Sequence, residues 1–63
     1  MRDPRLENHL TGLELQIVEL VEQHERAVVQ HRNEDAARLQ AEIDALQREM
    51  VATAEQLAAS EPA

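Results

Sequence analysis

Histidines and carboxylates are the side chains here whose types suit metal binding or proton transfer, since the 63-residue chain has no cysteine, tyrosine or lysine. His24 and His31 stand seven positions apart, which on a helix is two turns and about 10.5 Å along the axis. That span is too long for one ion. Helical metal pairs fall at i and i+3 or i+4, and these two histidines offer neither spacing. Neither a metal nor another cofactor is therefore expected. The hydroxyls Thr11, Thr53 and Ser60 have no base beside them, and a single glycine cannot build a phosphate-cradling loop. General acid–base chemistry needs a desolvated carboxylate in a cleft. Glu22, Glu25 and Glu34, with the two histidines, are the residues that would converge, and then only across a dimer. The chain is expected not to be an enzyme, with a helical enzyme or metal site shared between two copies kept as the alternative.

Composition narrows the partners. Thirteen acidic residues against six arginines give a net charge of −7, so a nucleic-acid backbone would on balance be repelled. An acidic mimic occupying a basic protein surface is a further alternative that this charge favours. No apolar run approaches the roughly 18–20 residues of a membrane span. Met1-Arg2-Asp3-Pro4 lacks the apolar segment of a secretory signal. A soluble, cytoplasmic protein with no membrane or direct nucleic-acid contact is the expectation, and arginine without lysine fits a GC-rich bacterial genome. Aromatic residues are absent altogether. Leu, Ile, Val, Ala and Met remain, an alphabet for packing helices.

The elements that would position these residues follow from spacing. Leu6, Leu10, Leu13, Ile17, Leu20, His24, Ala27 and His31 alternate four and three apart, which is a heptad seam. Ala36, Leu39, Ile43, Leu46, Met50, Thr53 and Leu57 form a second. Between them the register slips by an amount that neither a stutter nor a stammer supplies, so a turn is the simpler reading. The polar quartet Arg32-Asn33-Glu34-Asp35 marks it, with Asn33 as a cap and the two acids on the positive end of the helix dipole. At the other end Asp3 can cap a helix that has Pro4 in its first turn, although Thr11-Gly12-Leu13-Glu14 also reads as a capping box. Ser60-Glu61-Pro62 supplies a stop.

The chain is thus expected to be all-α, a two-helix antiparallel coiled-coil hairpin occupying residues 1–63 as one domain. Its helices would cover 3–32 and 35–60, with the turn at 32–35. Antiparallel coiled coils face a against d, and pairing Leu10 with Ser60, Leu13 with Leu57, Ile17 with Thr53, Leu20 with Met50, His24 with Leu46, Ala27 with Ile43 and His31 with Leu39 satisfies every layer. The two histidines then form a polar layer near the turn that sets register. One long helix in a parallel dimer, flawed near Asn33, is the rival architecture.

Apolar surface is left over. Val18, Val21, Val28 and Val29 lie outside the seam of the first helix, while Ala41, Ala45 and Ala52, with Ala58 and Ala59, give the second helix small residues that admit another helix closely. Burying two of the valines more fully would contribute about 3–5 kcal/mol, comparable to the whole margin of so small a fold. Val18, Val21, Val28, Val29, Ala41, Ala45 and Ala52 are accordingly the expected partner-binding residues. Docking onto a protein partner's helices, or self-association as a homodimer forming a four-helix bundle, is the outlet. The function expected is a non-catalytic protein–protein interaction module: an adaptor, accessory subunit or regulator of a larger complex. The remaining charges, among them Glu7, Glu14, Glu42, Glu49 and Glu55, fall mostly where a coiled coil is solvated.

Residues 33–46, Asn33-Glu34-Asp35-Ala36-Ala37-Arg38-Leu39-Gln40-Ala41-Glu42-Ile43-Asp44-Ala45-Leu46, resemble the UVR motif. That motif is a helical hairpin of nucleotide-excision-repair proteins and of some protein-quality-control regulators. Its second helix carries Phe-Glu-x-Ala-Ala-x-Leu-Arg-Asp-x-Ile. This chain matches it at Glu34, Ala36, Ala37, Leu39 and Ile43, and at an upstream alanine with Ala27. It has Asn33 in place of the Phe, Gln40-Ala41 in place of the Arg-Asp, and His31 where a Leu is usual. The resemblance implies docking against a partner hairpin, with no catalysis by the motif itself. The first arm, through Leu6, Leu10, Leu13, Ile17, Val18, Leu20 and Val21, also looks like the opening helix of helical chorismate mutases. The arginines of that family would fall at Glu7 and His24, and its third helix has no counterpart.

Overall fold

The computed structural model describes residues 3–60, which form two helices, α1 (Pro4–Val29) and α2 (Asn33–Ser60), joined by a short reversal. Glu61 and Pro62, expected to stop the second helix, lie outside the described residues, as does the side chain of Ser60. The Leu10–Ser60 layer falls there too. Asp3 caps α1: its Oδ1 accepts from the Arg5 N–H at 2.9 Å and its carbonyl from the Glu7 N–H at 3.1 Å. Pro4 sits at the first helical position, where its missing N–H leaves nothing unsatisfied. Thr11 starts no second helix. Its hydroxyl donates back to the Glu7 carbonyl at 3.0 Å, one turn earlier within α1.

The reversal comes earlier in the chain than 32–35. Gln30 ends α1, and His31 adopts the left-handed conformation with φ 59°. The His31 N–H donates to the Val28 carbonyl at 3.1 Å and the Arg32 N–H to the Ala27 carbonyl at 2.8 Å. That pair of bonds is a Schellman closure, which satisfies carbonyls that the last turn leaves without helical partners. The Arg32 carbonyl already accepts from the Ala36 N–H at 2.9 Å, so Asn33 is the first residue of α2 rather than its cap, and Glu34 and Asp35 belong to its first turn. His31 is exposed in the turn and is not the polar core residue expected of it. Left-handed geometry suits glycine best but is several-fold enriched in His relative to most side chains. His31→Gly is expected to raise stability by about 0.5–1 kcal/mol, because it removes the Cβ clash at the cost of a more flexible unfolded chain. His31→Val should lower it, since a β-branched residue tolerates this conformation least. Urea midpoints of the two variants provide the check.

The helices pack against each other along a molecule measuring 49 × 14 × 13 Å. A single helix of the same residues would run to roughly 85 Å, so the hairpin, not the long rod, is the fold. Leu13, Ala27, Ala36, Ile43, Thr53 and Leu57 are buried, and Leu6, Leu10, Ile17, Leu20, His24, Leu39, Leu46 and Met50 are half-buried. Apart from His31, both seams therefore face inward. The buried Thr53 hydroxyl is satisfied by donating to the Glu49 carbonyl at 2.9 Å.

The helices meet one heptad away from the expected layers. An open groove on one side is lined by Gln16, Leu20 and Gln23 of α1 and by Glu42, Ala45 and Leu46 of α2. Another, beside the turn, is lined by Gln23, Ala27 and Gln30 together with Asp35 and Leu39. These levels, with a reversal centred on His31, set Leu6 opposite Leu57, Leu10 opposite Thr53, Leu13 opposite Met50, Ile17 opposite Leu46, Leu20 opposite Ile43, His24 opposite Leu39, and Ala27 opposite Ala36. Shifting by seven preserves a-against-d pairing, so heptad phase is indifferent between the two registers. The position of the turn decides. The two small alanines face one another at the closed end, where the short connection draws the backbones together.

Candidate functional site

With the seams committed to the core, the remaining positions sort into two flanks and an outer back. In an antiparallel pair, e faces e and g faces g, with b and c positions outside them respectively. His9 and Glu49, both at g, confirm the arrangement: His9 Nε2 lies 3.0 Å from Glu49 Oε1 across the helix–helix boundary, each side chain about half exposed. Glu49 was expected only as a solvated charge, and nothing was expected of His9. Their shared g position is the signal that pairs them once the helices run antiparallel.

The g/c flank is polar. It carries His9, Gln16, Gln23, Glu42, Glu49 and Gln56, and the cations Arg5, Arg26 and Arg38. The opposite b/e flank carries Val18, Val21 and Val28 from α1 with Ala37, Val51, Ala54 and Ala58 from α2. All seven are exposed. Leu15 and Val29 stand on the outer back of α1, at 63% and 77% exposure. The expected partner-binding residues are consequently not one surface. Val18, Val21 and Val28 share the b/e flank, Ala45 and Ala52 lie on the g/c flank, and Val29 and Ala41 occupy the backs of the two helices. Val51, on the apolar flank, was missing from the set because it is the lone valine of α2.

No family model, curated protein or solved structure matches this chain. The residues themselves carry the functional reading. Of the positions that resemble the UVR motif, Ala36 and Ile43 are buried and Leu39 half-buried, while Glu34 and Ala37 are exposed. Among the described residues no three His, Cys, Asp or Glu side chains gather where they could hold a metal ion. No described helix is long and apolar enough to cross a membrane.

Among the described residues, a cluster of ion pairs sits at the turn. Asp35 Oδ2 accepts from Arg32 Nε at 2.8 Å and Nη2 at 2.6 Å, and its Oδ1 accepts from Arg38 Nη2 at 2.9 Å. Arg32 Nη1 also donates to Gln30 Oε1 at 3.1 Å, so one guanidinium ties the end of α1 to the first turn of α2. Hydrogen bonding from Arg32 and then its charge hold the Asp35 carboxyl below its ordinary value, with desolvation opposing them and the charge of Arg38 adding a lesser lowering. The unfolded chain thus binds a proton that the folded chain does not in the interval between the two values. The contribution to stability is complete above the unfolded value near ~3.9 and is lost as pH falls through the lowered one. Asp35→Asn should flatten the acid limb of a stability-versus-pH curve below about pH 4. Its effect is small, because the partners are exposed and salt screens them. Carboxyl titration by NMR, with urea melts across that range, measures both.

Proposed function

We propose that this hairpin is a non-catalytic protein–protein interaction module, an adaptor, accessory subunit or regulator, which packs exposed apolar side chains against helices of a larger complex or of a second copy. The observation that carries this reading is the contrast between core and surface. Among the described residues, Leu13, Ile43 and Leu57 are the large apolar side chains that are buried and seven more are half-buried along the seam, while Leu15, Val18, Val21, Val28, Val29 and Val51 are each more than a third exposed. A fold of this size gains little margin from one thin core, and a partner that covers such residues supplies the remainder. The resemblance of residues 33–46 to UVR hairpins implies the same mode of action.

A photo-reactive residue replacing Val21 or Val28, in the cells that make the protein, tests the proposal. A defined adduct is expected from both positions, and a second introduced change, Val18→Arg, should suppress it without altering helicity. Adducts that form equally well from the solvated position Glu55, or from no position on the b/e flank or the back of α1, would overturn the reading.

A further inference from the structure

We propose that the b/e flank docks a basic amphipathic helix of a partner protein rather than a second copy of this chain, an inference that rests on the interaction-module reading above. The apolar residues of this flank form a diagonal stripe. Val51 of α2 lies level with Gly12, and the stripe then passes through Val18 and Val21 to Val28, with exposures of 55%, 55%, 38% and 51% in that order. From Val18 to Val28 it advances about 15 Å, nearly three helical turns, a length suited to apolar side chains recurring every three or four residues on an incoming helix.

Charge selects between occupants. Glu14, Glu25 and Asp44 are interleaved with the valines, and the Asp44 carboxylate is held along this flank by a hydrogen bond from Gln40 Nε2 at 2.9 Å. Among the described residues, the b and e positions of α1 and α2 contain no arginine and no histidine. Arg5, His9, Arg26 and Arg38 are all on the opposite flank, and Arg48 stands at the outer rim beside Val51. The Asp35 clasp and the His9–Glu49 pair likewise lie away from it. A symmetric pairing of two copies would juxtapose the same surface with itself, bringing acids toward acids as the valines lose water. A helix with Lys or Arg flanking its apolar seam would meet each carboxylate with an opposite charge. The polar uncharged Gln40 and Gln47, on the inner edge of the flank, place no cation against such a partner.

The test uses two synthetic helices of about 18 residues, long enough to be partly helical alone, sharing one leucine seam and flanked either by lysines or by glutamates. Titrated into the whole chain at low salt, the lysine probe should bind at least ~10-fold more tightly than the glutamate probe, and the preference should shrink at high salt. The triple change Glu14→Lys, Glu25→Lys and Asp44→Lys should reverse the order of the probes, and Val21→Asp with Val28→Asp should abolish binding of both, all with unchanged helicity. Equal binding of the two probes, still lost on the valine changes, would overturn the basic partner and leave the interaction module standing. Binding of neither would overturn the flank as a docking site, and the module would then depend on cross-links from Leu15 and Val29. Concentration-dependent dimerisation lost in the Val21→Asp, Val28→Asp chain would make a second copy the occupant and overturn the proposal.

Discussion

Ile43→Ala is expected to leave a large share of the chain unfolded at room temperature, whereas Val29→Ala should change stability by no more than about 0.5 kcal/mol. Both changes remove methyl groups from a β-branched side chain on a helix. They differ in where the methyl groups are. Ile43 is 4% exposed and Val29 77%, so the first loses transfer free energy and leaves a void while the second loses almost nothing. Truncating a buried isoleucine to alanine costs about 2–5 kcal/mol, and a single core at this chain length rarely supplies more than about 3–5 kcal/mol. The loss is therefore comparable to the entire margin. It falls on one of the three large apolar side chains, Leu13, Ile43 and Leu57, that are under 5% exposed, at the centre of a seam whose other large members are half-buried. Urea melts followed by far-ultraviolet circular dichroism separate the two variants. Equal losses would mean that Val29 is covered in solution, and a protein-concentration dependence would then identify the cover as another copy.

The inward face of each helix was legible because alternating spacings of four and three fix which residues share a stripe whatever the partner. Leu13, Ala27, Ile43 and Leu57 are buried for that reason alone. The turn was less legible. Arg32-Asn33-Glu34-Asp35 attracts attention as a polar quartet, yet three of its members are helical, and their charges serve the first turn of α2 and the Arg32–Asp35 clasp. The actual reversal depends on His31 accepting a left-handed conformation, which a sequence usually advertises with glycine or asparagine. His31 instead continues the heptad spacing by coincidence and so reads as core. The surface was legible residue by residue but not as a surface. Val18, Val21 and Val28 belong together because their b and e positions put them on one side of the pair, and the same rule sends Ala45 and Ala52 to the other side. The sorting follows from combining the antiparallel arrangement, in which e faces e, with the heptad position of each residue outside the seam.

A cysteine pair replacing Leu13 and Met50 is expected to close readily into an intramolecular disulfide, and a pair replacing Leu13 and Leu57 is not. Both pairs combine an α1 d position with an α2 a position, so heptad phase permits either. They differ by seven residues along α2, about 10.5 Å of axial displacement. Disulfide geometry admits Cα separations only up to about 7 Å, so one register can form just one of the two bridges. A reversal centred on His31 places Met50 level with Leu13, and a reversal displaced toward Ala36 would place Leu57 there instead. Where the bridge forms, loop closure in the unfolded chain should contribute about 2–4 kcal/mol relative to the reduced form of the same variant. That comparison is internal, because the two core side chains are already missing from both redox states. The measurement is the thiol–disulfide equilibrium of each variant against glutathione, with urea melts of the oxidised and reduced forms. Closure of the Leu13–Leu57 pair in preference to the Leu13–Met50 pair would shift every layer by one heptad and withdraw α2 from opposite Leu6. The His9–Glu49 contact would be lost with it, since those side chains would then lie about 18 Å apart along the axis.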